Sequence, residues 1–218
     1  MITSAEENYL KAILSLSLNE GEKVSTNAIS RVIGTSAASV SDMIKKLQEK
    51  KLIKYKKYQG LELSAKGKKK AINILRKHRL WETFLVNNLK FNWGEVHDIA
   101  EQLEHIKSSQ LIDRLDSYLS FPKFDPHGEP IPSKEGKIPV RNTITLNKLK
   151  VNAKGKVLGV TLDDKSFLEY LTKLNIKIGT NIEIIDKISF DKSLNIKIDK
   201  KNHHISNQVG EYLLIKVI

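Results

Sequence analysis

The chain has 218 residues, of which 40% are hydrophobic and 28% are charged, a composition typical of a folded protein with one or two domains. No apolar stretch approaches the roughly 20 residues that cross a bilayer, which argues against a membrane protein. The N-terminus lacks the basic region and apolar run of a secretory signal. The absence of cysteine excludes disulfides and thiolate metal sites. We therefore expect a cytoplasmic protein.

The positive charge of the chain is concentrated in one segment. The formal net charge is +12, and residues 44–80 alone carry 14 basic and two acidic residues. The rest of the chain holds 23 residues of each sign and is neutral. A concentrated positive field favours a polyanionic partner, most commonly nucleic acid, although a solvated lysine-rich surface is the alternative on charge alone.

The N-terminal part of the chain predicts three helices. Ser4 can cap a first helix, whose apolar residues recur at helical spacing. A short second helix, capped by Ser25 or Thr26, ends at Gly34, the residue type most common just after helices. A longer third helix is expected at residues 37–51. This spacing predicts a helix-turn-helix.

A basic hairpin is predicted after the third helix, because two β-prone runs flank Tyr58-Gln59-Gly60. A helix-turn-helix followed by such a hairpin is the winged-helix pattern, and it predicts double-stranded DNA as a partner. Candidate groove-facing residues of the third helix are Ser36, Ser39, Ser41 and Asp42. Candidate phosphate contacts are Thr26, Asn27, Lys45, Lys46 and Lys57. Each serine could instead cap the helix or face solvent, and we expect two of the four groove-facing positions to contact nothing.

Three more helices, a linker and a β-rich region are expected in the remaining chain. The helices are expected at residues 64–89, 93–106 and 108–119. Residues 121–138 contain four of the five prolines and predict an extended linker. Between positions 148 and 218, apolar residues alternate in segments that include 181–184, 194–198 and 213–217, with one helix at 166–174. These short strands predict a small barrel.

Imidazole and carboxylate side chains converge on the predicted fifth helix. They are Glu101, Glu104, His105 and His97 on this helix, with His78 and Glu82 one turn apart on the fourth helix. Converging groups of these two kinds hold divalent first-row metals. The alternative is an ordinary amphipathic helix, whose polar face needs no ligand.

Together these features resemble the diphtheria toxin repressor and manganese transport regulator family of metal-dependent transcription factors. The segments that carry the resemblance are Glu7-Asn8-Tyr9-Leu10, Lys77-His78-Arg79-Leu80 with Glu82, Val96-His97-Asp98 with Glu101 and Glu104-His105, and Phe121-Pro122-Lys123 with Asp125-Pro126-His127-Gly128. The resemblance covers essentially the full chain. It implies a mainly α fold with a small β domain. The implied domains are a winged helix-turn-helix at residues 1–72, a helical dimerisation and metal-binding domain with a proline-rich linker at 73–140, and an SH3-like, FeoA-like barrel at 145–218.

The resemblance also implies two metal sites. The first consists of Asn8, Glu101, Glu104 and His105. The second uses His78, Glu82 and His97 in some members, and Glu82, Asp125, His127 and Asp163 in members with the SH3-like domain. Asp125 stands where those members carry cysteine. Since every ligand offers oxygen or imidazole nitrogen, ligand softness favours Mn(II), with Fe(II) second.

The function implied is a Mn(II)-responsive repressor of metal-uptake genes that binds a palindromic operator as a homodimer. A cation that fixes the first helix would hold two recognition helices about 34 Å, or a multiple of this distance, apart. A winged-helix regulator of a non-metal ligand is the alternative, and an architectural DNA binder is a third interpretation. An enzyme is disfavoured, because neither an HExxH pair nor a phosphate-binding glycine loop accompanies the cluster.

Overall fold

The computed structural model describes residues 2–18, 24–56 and 60–218, and the chain divides into two compact units. The first unit comprises Met1–His78, Glu101–Ser109 and Pro132–Lys137. The second unit comprises Arg79–Ala100, Gln110–Ile131 and Ile138–Ile218. None of the helices in these described ranges is long and apolar enough to cross a membrane.

Three helices open the first unit: α1 (Ser4–Leu18), α2 (Thr26–Ile33) and α3 (Ala37–Glu49). A reciprocal capping box begins α1, because the Glu6 backbone N–H donates to Thr3 Oγ1 and the Thr3 N–H donates to Glu6 Oε2. The expectation that Ser4 caps α1 was therefore wrong, and Ser4 is the first helical residue. Thr3 is preferred because Glu6 stands three residues after it and can return the hydrogen bond.

The helix-turn-helix has the expected local chemistry. Ser25 caps α2 by accepting the Ala28 N–H, and α2 ends at Gly34 with a left-handed φ of +71°. Ser36 caps α3 by accepting the Ser39 N–H. The third helix ends two residues earlier than expected, at Glu49.

A two-stranded hairpin follows, formed by β1 (Ile53–Lys56) and β2 (Gly60–Leu63) in antiparallel register. The next helix, α4 (Ala65–Asn87), begins immediately after it. Gly67 lets α4 pack against the hairpin, since a Cβ at this position would lie 1.9 Å from the Leu52 carbonyl oxygen. The core of the unit combines apolar residues of α1–α4 and both strands.

Two shorter helices follow α4, namely α5 (Val96–Leu103) and α6 (Ser109–Tyr118). The fifth helix is shorter than expected at both ends. At its start, Asn92 accepts the Gly94 N–H and shapes a turn. At its end, the Ile106 N–H donates to the Leu103 carbonyl three residues back, so Glu104 and His105 lie in a turn rather than on the helix.

The proline-containing segment is a compact turn rather than the extended linker that we expected. Phe124 and Pro130 form an isolated antiparallel bridge, and the Asp125 N–H donates to the Glu129 carbonyl. Asp125 and His127 are buried within the turn. The proline content did not predict this turn, because the backbone hydrogen bonds that close it are made by non-proline residues.

The C-terminal part of the second unit is a six-stranded antiparallel sheet in the order β3-β8-β4-β5-β6-β7. Its strands are β3 (Ile144–Thr145), β4 (Lys154–Val160), β5 (Asn181–Lys187), β6 (Leu194–Ile198), β7 (Lys201–Ile205) and β8 (Leu213–Val217). Helices α7 (Lys165–Lys173) and α8 (Asn207–Tyr212) accompany the sheet. The predicted mainly α fold with a small β domain is confirmed, although the alternation of apolar residues did not reveal β3, β4, β7 or α8.

Candidate metal centres and DNA-binding surface

A first cluster of charged side chains lies within the first unit and joins α1 to α4 and to the Glu101–Ser109 segment. We call it the N-terminal centre; its members are Glu7, Lys11, His78, Glu101, Glu104 and His105. Glu104 Oε2 lies 2.6 Å from His78 Nδ1 and accepts a 2.7 Å hydrogen bond from the Lys11 ammonium. The same ammonium donates to Glu101 Oε1 at 3.2 Å. His105 Nδ1 lies 2.6 Å from Glu7 Oε2, so Glu7 orients this imidazole.

The N-terminal centre holds an ionised carboxylate away from water. Glu104 is fully buried. Burial by itself raises the pKa of the Glu104 carboxyl, but the hydrogen bond from His78 and the charge of Lys11 outweigh it and hold this pKa below its usual range. Burial lowers the pKa of the nearby Lys77 ammonium, which donates to the Ile106 carbonyl.

A divalent cation would satisfy two buried oxygens of the first unit. Among the described residues, Glu104 Oε1 and Asn8 Oδ1 are buried without a hydrogen-bond partner. Such oxygens lose hydration without compensation unless a donor or a cation reaches them. Of the sequence-predicted ligands, the structure brings Glu101, Glu104 and His105 into this centre on the Glu101–Ser109 segment, and it also places His78 here, against Glu104. Asn8 follows Glu7 on α1.

A second cluster, the C-terminal centre, lies within the second unit and comprises Glu82, His97, Asp125, His127 and Asp163. Ligating atoms of Glu82, Asp125 and His127 all lie within 4.8 Å of one another, and all three residues are buried. Asp163 Oδ2 lies 3.0 Å from His97 Nδ1, and Asp163 Oδ1 lies 3.6 Å from His127 Nε2. The sequence-predicted residues of this second site therefore converge.

The imidazoles of the C-terminal centre are flanked by carboxylates, which shift their titration. The Asp163 carboxylate 3.0 Å from His97 Nδ1, followed by that of Glu82 at 3.7 Å, raises the pKa of His97 to about 10. Burial opposes protonation of His127, but Glu82 and Asp163 outweigh it and raise its pKa to about 10. Burial, with the neighbouring Glu82, raises the pKa of Asp125 to about 8. A divalent cation would relieve this crowding of negative groups.

Backbone contacts shape the loop that carries Asp125 and His127. Asp125 Oδ1 accepts the backbone N–H groups of His127 at 2.8 Å and Glu129 at 2.9 Å. Among the described residues, Asp125 Oδ2 is buried without a hydrogen bond, and Arg79 Nε lies 3.6 Å from it. One oxygen thus builds the loop and the other fits a cation.

The loop also rests directly on β4. The Val160 N–H donates to the His127 carbonyl at 2.9 Å. Gly128 has a φ of +84°, and a Cβ there would lie 2.1 Å from the Leu158 carbonyl oxygen. Only glycine permits this approach. His127 Nε2 donates to the Trp93 carbonyl at 2.8 Å, which leaves Nδ1 on the side of Glu82.

The candidate DNA-contacting residues lie on the surface of the helix-turn-helix. Ser36, Ser39, Ser41, Asp42, Lys45, Lys46 and Asn27 are exposed, Thr26 is half-buried, and Lys57 lies outside the described residues. The hydroxyl of Ser36 is used as the α3 cap, and Ser41 Oγ donates to the Ala37 carbonyl. Asp42 lies 3.5 Å from Lys45. Lys45 and Lys46 of α3 are exposed on this surface.

Two contributors to the centres were not identified from the sequence: Glu7 and the Trp93 carbonyl. Glu7 precedes Asn8 and stands one turn before Lys11 on α1, a spacing that could have included it among the candidates. A backbone carbonyl carries no such signal.

Comparison with known proteins identifies all three parts of the chain. Residues 1–61 match the family described as "Iron dependent repressor, N-terminal DNA binding domain". Residues 64–133 match "Iron dependent repressor, metal binding and dimerisation domain". Residues 144–217 match the FeoA domain.

Individual relatives agree with these matches. The iron-dependent repressor IdeR of Mycobacterium leprae is 34% identical over 131 residues, which are 60% of this chain and 56% of that protein. The HTH-type transcriptional regulator MntR of Oceanobacillus iheyensis is 31% identical over 125 residues, 57% of this chain and 84% of that protein. The alignment thus spans little more than half the length of IdeR.

A solved structure resembles the whole chain. A manganese-dependent transcriptional repressor in complex with manganese has a TM-score of 0.88 and 31% sequence identity, over 98% of this chain and 100% of that one.

Proposed function

The chain belongs to the iron-dependent repressor family, and from this membership and its two centres we propose that it is a metal-dependent, DNA-binding repressor of transcription. Each of the relatives described above is named as a repressor or regulator of transcription, and none of them as an enzyme. The proposed targets are genes for metal uptake, and the proposed location is the cytoplasm.

The observation that carries this proposal is the position of the N-terminal centre. Its residues come from α1, which directly precedes the helix-turn-helix, and from α4 and the Glu101–Ser109 segment. A cation held here would neutralise the buried Glu104 and link these elements. Glu7 and His78 would then fix the orientation of the neighbouring ligands. Restricting α1 in this way limits the orientations that the recognition helix α3 can sample, which raises the fraction of binding-competent states.

We propose Mn(II) as the physiological metal, with Fe(II) second. The donor atoms of both centres are carboxylate oxygens, imidazole nitrogens and the Asn8 amide oxygen, and hard donors of this kind suit Mn(II). In the C-terminal centre the proposed ligands are Glu82, Asp125, His127 and Asp163, with His97 against Asp163.

The proposed domains are the winged helix at residues 1–72, the dimerisation and metal-binding domain at 73–140 and the SH3-like domain at 145–218. In the first, α3 reads the major groove and Lys45, Lys46, Thr26 and Asn27 approach phosphates.

The proposed assembly is a homodimer on a palindromic operator. We place the dimer contact at apolar side chains exposed near the end of α4 and on α6, two elements that meet where Asn88 Nδ2 donates to Tyr118 Oη at 3.1 Å. These side chains are Leu89, Phe91, Leu111, Tyr118 and Phe121. Analytical ultracentrifugation of Leu111→Asp should then give a larger monomer fraction than the wild-type chain, and an unchanged dimer would contradict this placement.

The central test measures operator binding by fluorescence anisotropy against duplexes selected from a random library. We expect affinity to rise at least tenfold when chelator is replaced by Mn(II), and Glu104→Gln to abolish this gain because it removes a buried charge from the N-terminal centre. Exposed Glu169→Gln is the matched control and should bind as wild type does. Equal binding in chelator and Mn(II) would contradict the proposal and favour a regulator of a non-metal ligand.

A further inference from the structure

The N-terminal centre already contains a cation of its own. The Lys11 ammonium lies 2.7 Å from Glu104 Oε2, 3.2 Å from Glu101 Oε1 and 3.4 Å from His78 Nδ1. These are three of the groups whose carboxylate and imidazole atoms would otherwise face a metal. The side chain of Lys11 is only 12% exposed, so its ammonium is held inside the centre rather than in solvent.

The contacts of Lys11 are those that a bound cation would make. A lysine ammonium carries three donors and one compact positive charge, and here it faces two carboxylates and one imidazole nitrogen. Because Glu104 is completely buried, its charge is stable only while a positive group stays beside it. The ammonium therefore supplies in the metal-free chain the neutralisation that a divalent ion supplies in the loaded one.

From this geometry we infer that Lys11 is a tethered competitor for the N-terminal centre, and that a metal ion enters only when the ammonium leaves. A divalent ion at Glu104 Oε1 would sit on the same buried carboxylate whose Oε2 already holds the ammonium, and the repulsion between these two cations is poorly screened there. Binding of the ion thus exchanges one cation for another. The inference rests on the proposed metal-dependent function. It concerns the metal concentration at which the same centre becomes occupied.

The exchange also explains how the metal-free centre tolerates its carboxylates. Lys11 belongs to α1, whereas Glu101 and Glu104 belong to the Glu101–Ser109 segment. Their ion pairs neutralise both carboxylates without metal. The lysine thereby raises the metal concentration at which the exchange occurs while preserving the fold of the unit.

Amine labelling of the wild-type chain tests the displacement directly. The chain is treated with an acetylating N-hydroxysuccinimide ester in chelator or in saturating Mn(II), and modification is measured by peptide mass spectrometry. We expect Lys11 to react slowly in chelator and at least five times faster in Mn(II). Lys45, whose side chain is 74% exposed, serves as the control and should react equally in both. Equal protection of Lys11 in both conditions would overturn the inference.

Metal affinity provides the second test. Mn(II) binding is measured by the loss of the free-ion electron paramagnetic resonance signal, in the wild-type chain, Lys11→Met and Lys11→Gln, with exposed Lys173→Met as the matched control. Removing the competitor should tighten binding at one centre by roughly ten- to a hundredfold, the equivalent of one charge-assisted hydrogen bond. Unchanged or weaker binding in both Lys11 variants, with circular dichroism showing them folded, would refute the competition.

These measurements separate the inference from the proposed function. Operator binding that needs Mn(II) while Lys11 stays protected would contradict the inference alone. Release of Lys11 by Mn(II) in a chain that binds no operator would contradict the proposed function and support the exchange.

Discussion

Substitution of Gly128 by alanine should damage both the stability of the second unit and the C-terminal centre. Gly128 has a φ of +84°, and an alanine Cβ there would lie 2.1 Å from the Leu158 carbonyl oxygen and 2.4 Å from the Gly159 Cα. A left-handed conformation costs an L-residue about 1–2 kcal/mol. Forcing packed groups apart costs about 1–3 kcal/mol more. The free energy of unfolding should therefore fall by about 2–5 kcal/mol.

Gly179→Ala provides a matched control for Gly128→Ala. Gly179 has a similar φ of +92°, but no atom lies within 4 Å of its added Cβ. This control should lose only the conformational part, about 1–2 kcal/mol. Thermal unfolding followed by circular dichroism should give a midpoint lower by roughly 10 °C for Gly128→Ala and by roughly 4 °C for Gly179→Ala.

The loop displacement should also weaken metal binding. Because Gly128 follows His127 directly and the His127 carbonyl is bonded to the Val160 N–H, moving this backbone off β4 shifts both Asp125 and His127. Loss of such supporting contacts typically weakens metal affinity ten- to a hundredfold. We expect this loss of Mn(II) affinity in Gly128→Ala and none in Gly179→Ala. Equal stability losses and wild-type affinity in both variants would refute the argument from close approach.

Three further outcomes are expected. Because Asp163 and Glu82 raise the pKa of His97 and His127 to about 10, both imidazoles are protonated near neutral pH without metal. Mn(II) binding should then release protons, and its affinity should rise by roughly tenfold or more per pH unit between pH 6.5 and 8.5. Calorimetry in buffers of different ionisation enthalpy counts the released protons. Release of no protons would be inconsistent with these pKa values. Burial opposes ionisation of Glu6, but its hydrogen bond from Lys50 holds its pKa below the ordinary value, so Glu6 stabilises the fold at neutral pH and loses this contribution as pH falls through its folded-state pKa. Glu6→Gln should lower the free energy of unfolding by about 1–3 kcal/mol at pH 7 and by progressively less in acid. As a control, Asp42→Asn, which removes the exposed ion pair with Lys45, should lower it by under about 0.5 kcal/mol. Urea denaturation at several pH values measures both, and a pH-independent effect of Glu6→Gln would argue against the Glu6–Lys50 ion pair. Lys45→Ala and Lys46→Ala should each reduce the slope of log affinity against log salt for operator binding by about one, and an unaltered slope would remove these residues from the phosphate contacts.

The helices and strands of some parts of the chain were easier to predict from the sequence than those of others. The helices and the turn of the helix-turn-helix were predictable, because Ser25, Gly34 and Ser36 act through local hydrogen bonds, although the sequence left Thr26 as an alternative cap and Ser36 as a groove-facing candidate. In the C-terminal sheet, β6 was predictable because Leu194, Ile196 and Ile198 alternate on its buried face. By contrast, β4 contains two glycines and two lysines that obscure its alternation.

The candidate centres were predictable in their ligand types but not in their internal arrangement. Glu101, Glu104 and His105 were recognised by spacing and resemblance, yet two of them lie beyond the end of α5. The position of Lys11 depends on packing between α1 and a segment about ninety residues later, which no local pattern encodes. The turn at Asp125 likewise depends on backbone hydrogen bonds that proline content does not reveal.

The presence of a carboxylate at position 125 has a chemical consequence. A thiolate at this position would be open to peroxide, which converts sulfur ligands to sulfenic and higher acids and so destroys a metal site. A carboxylate undergoes no such reaction, and the chain holds no cysteine elsewhere. The proposed C-terminal centre therefore offers oxidants no sulfur ligand, and the carboxylate of Asp125 would stay able to hold a metal when the surrounding redox balance changes.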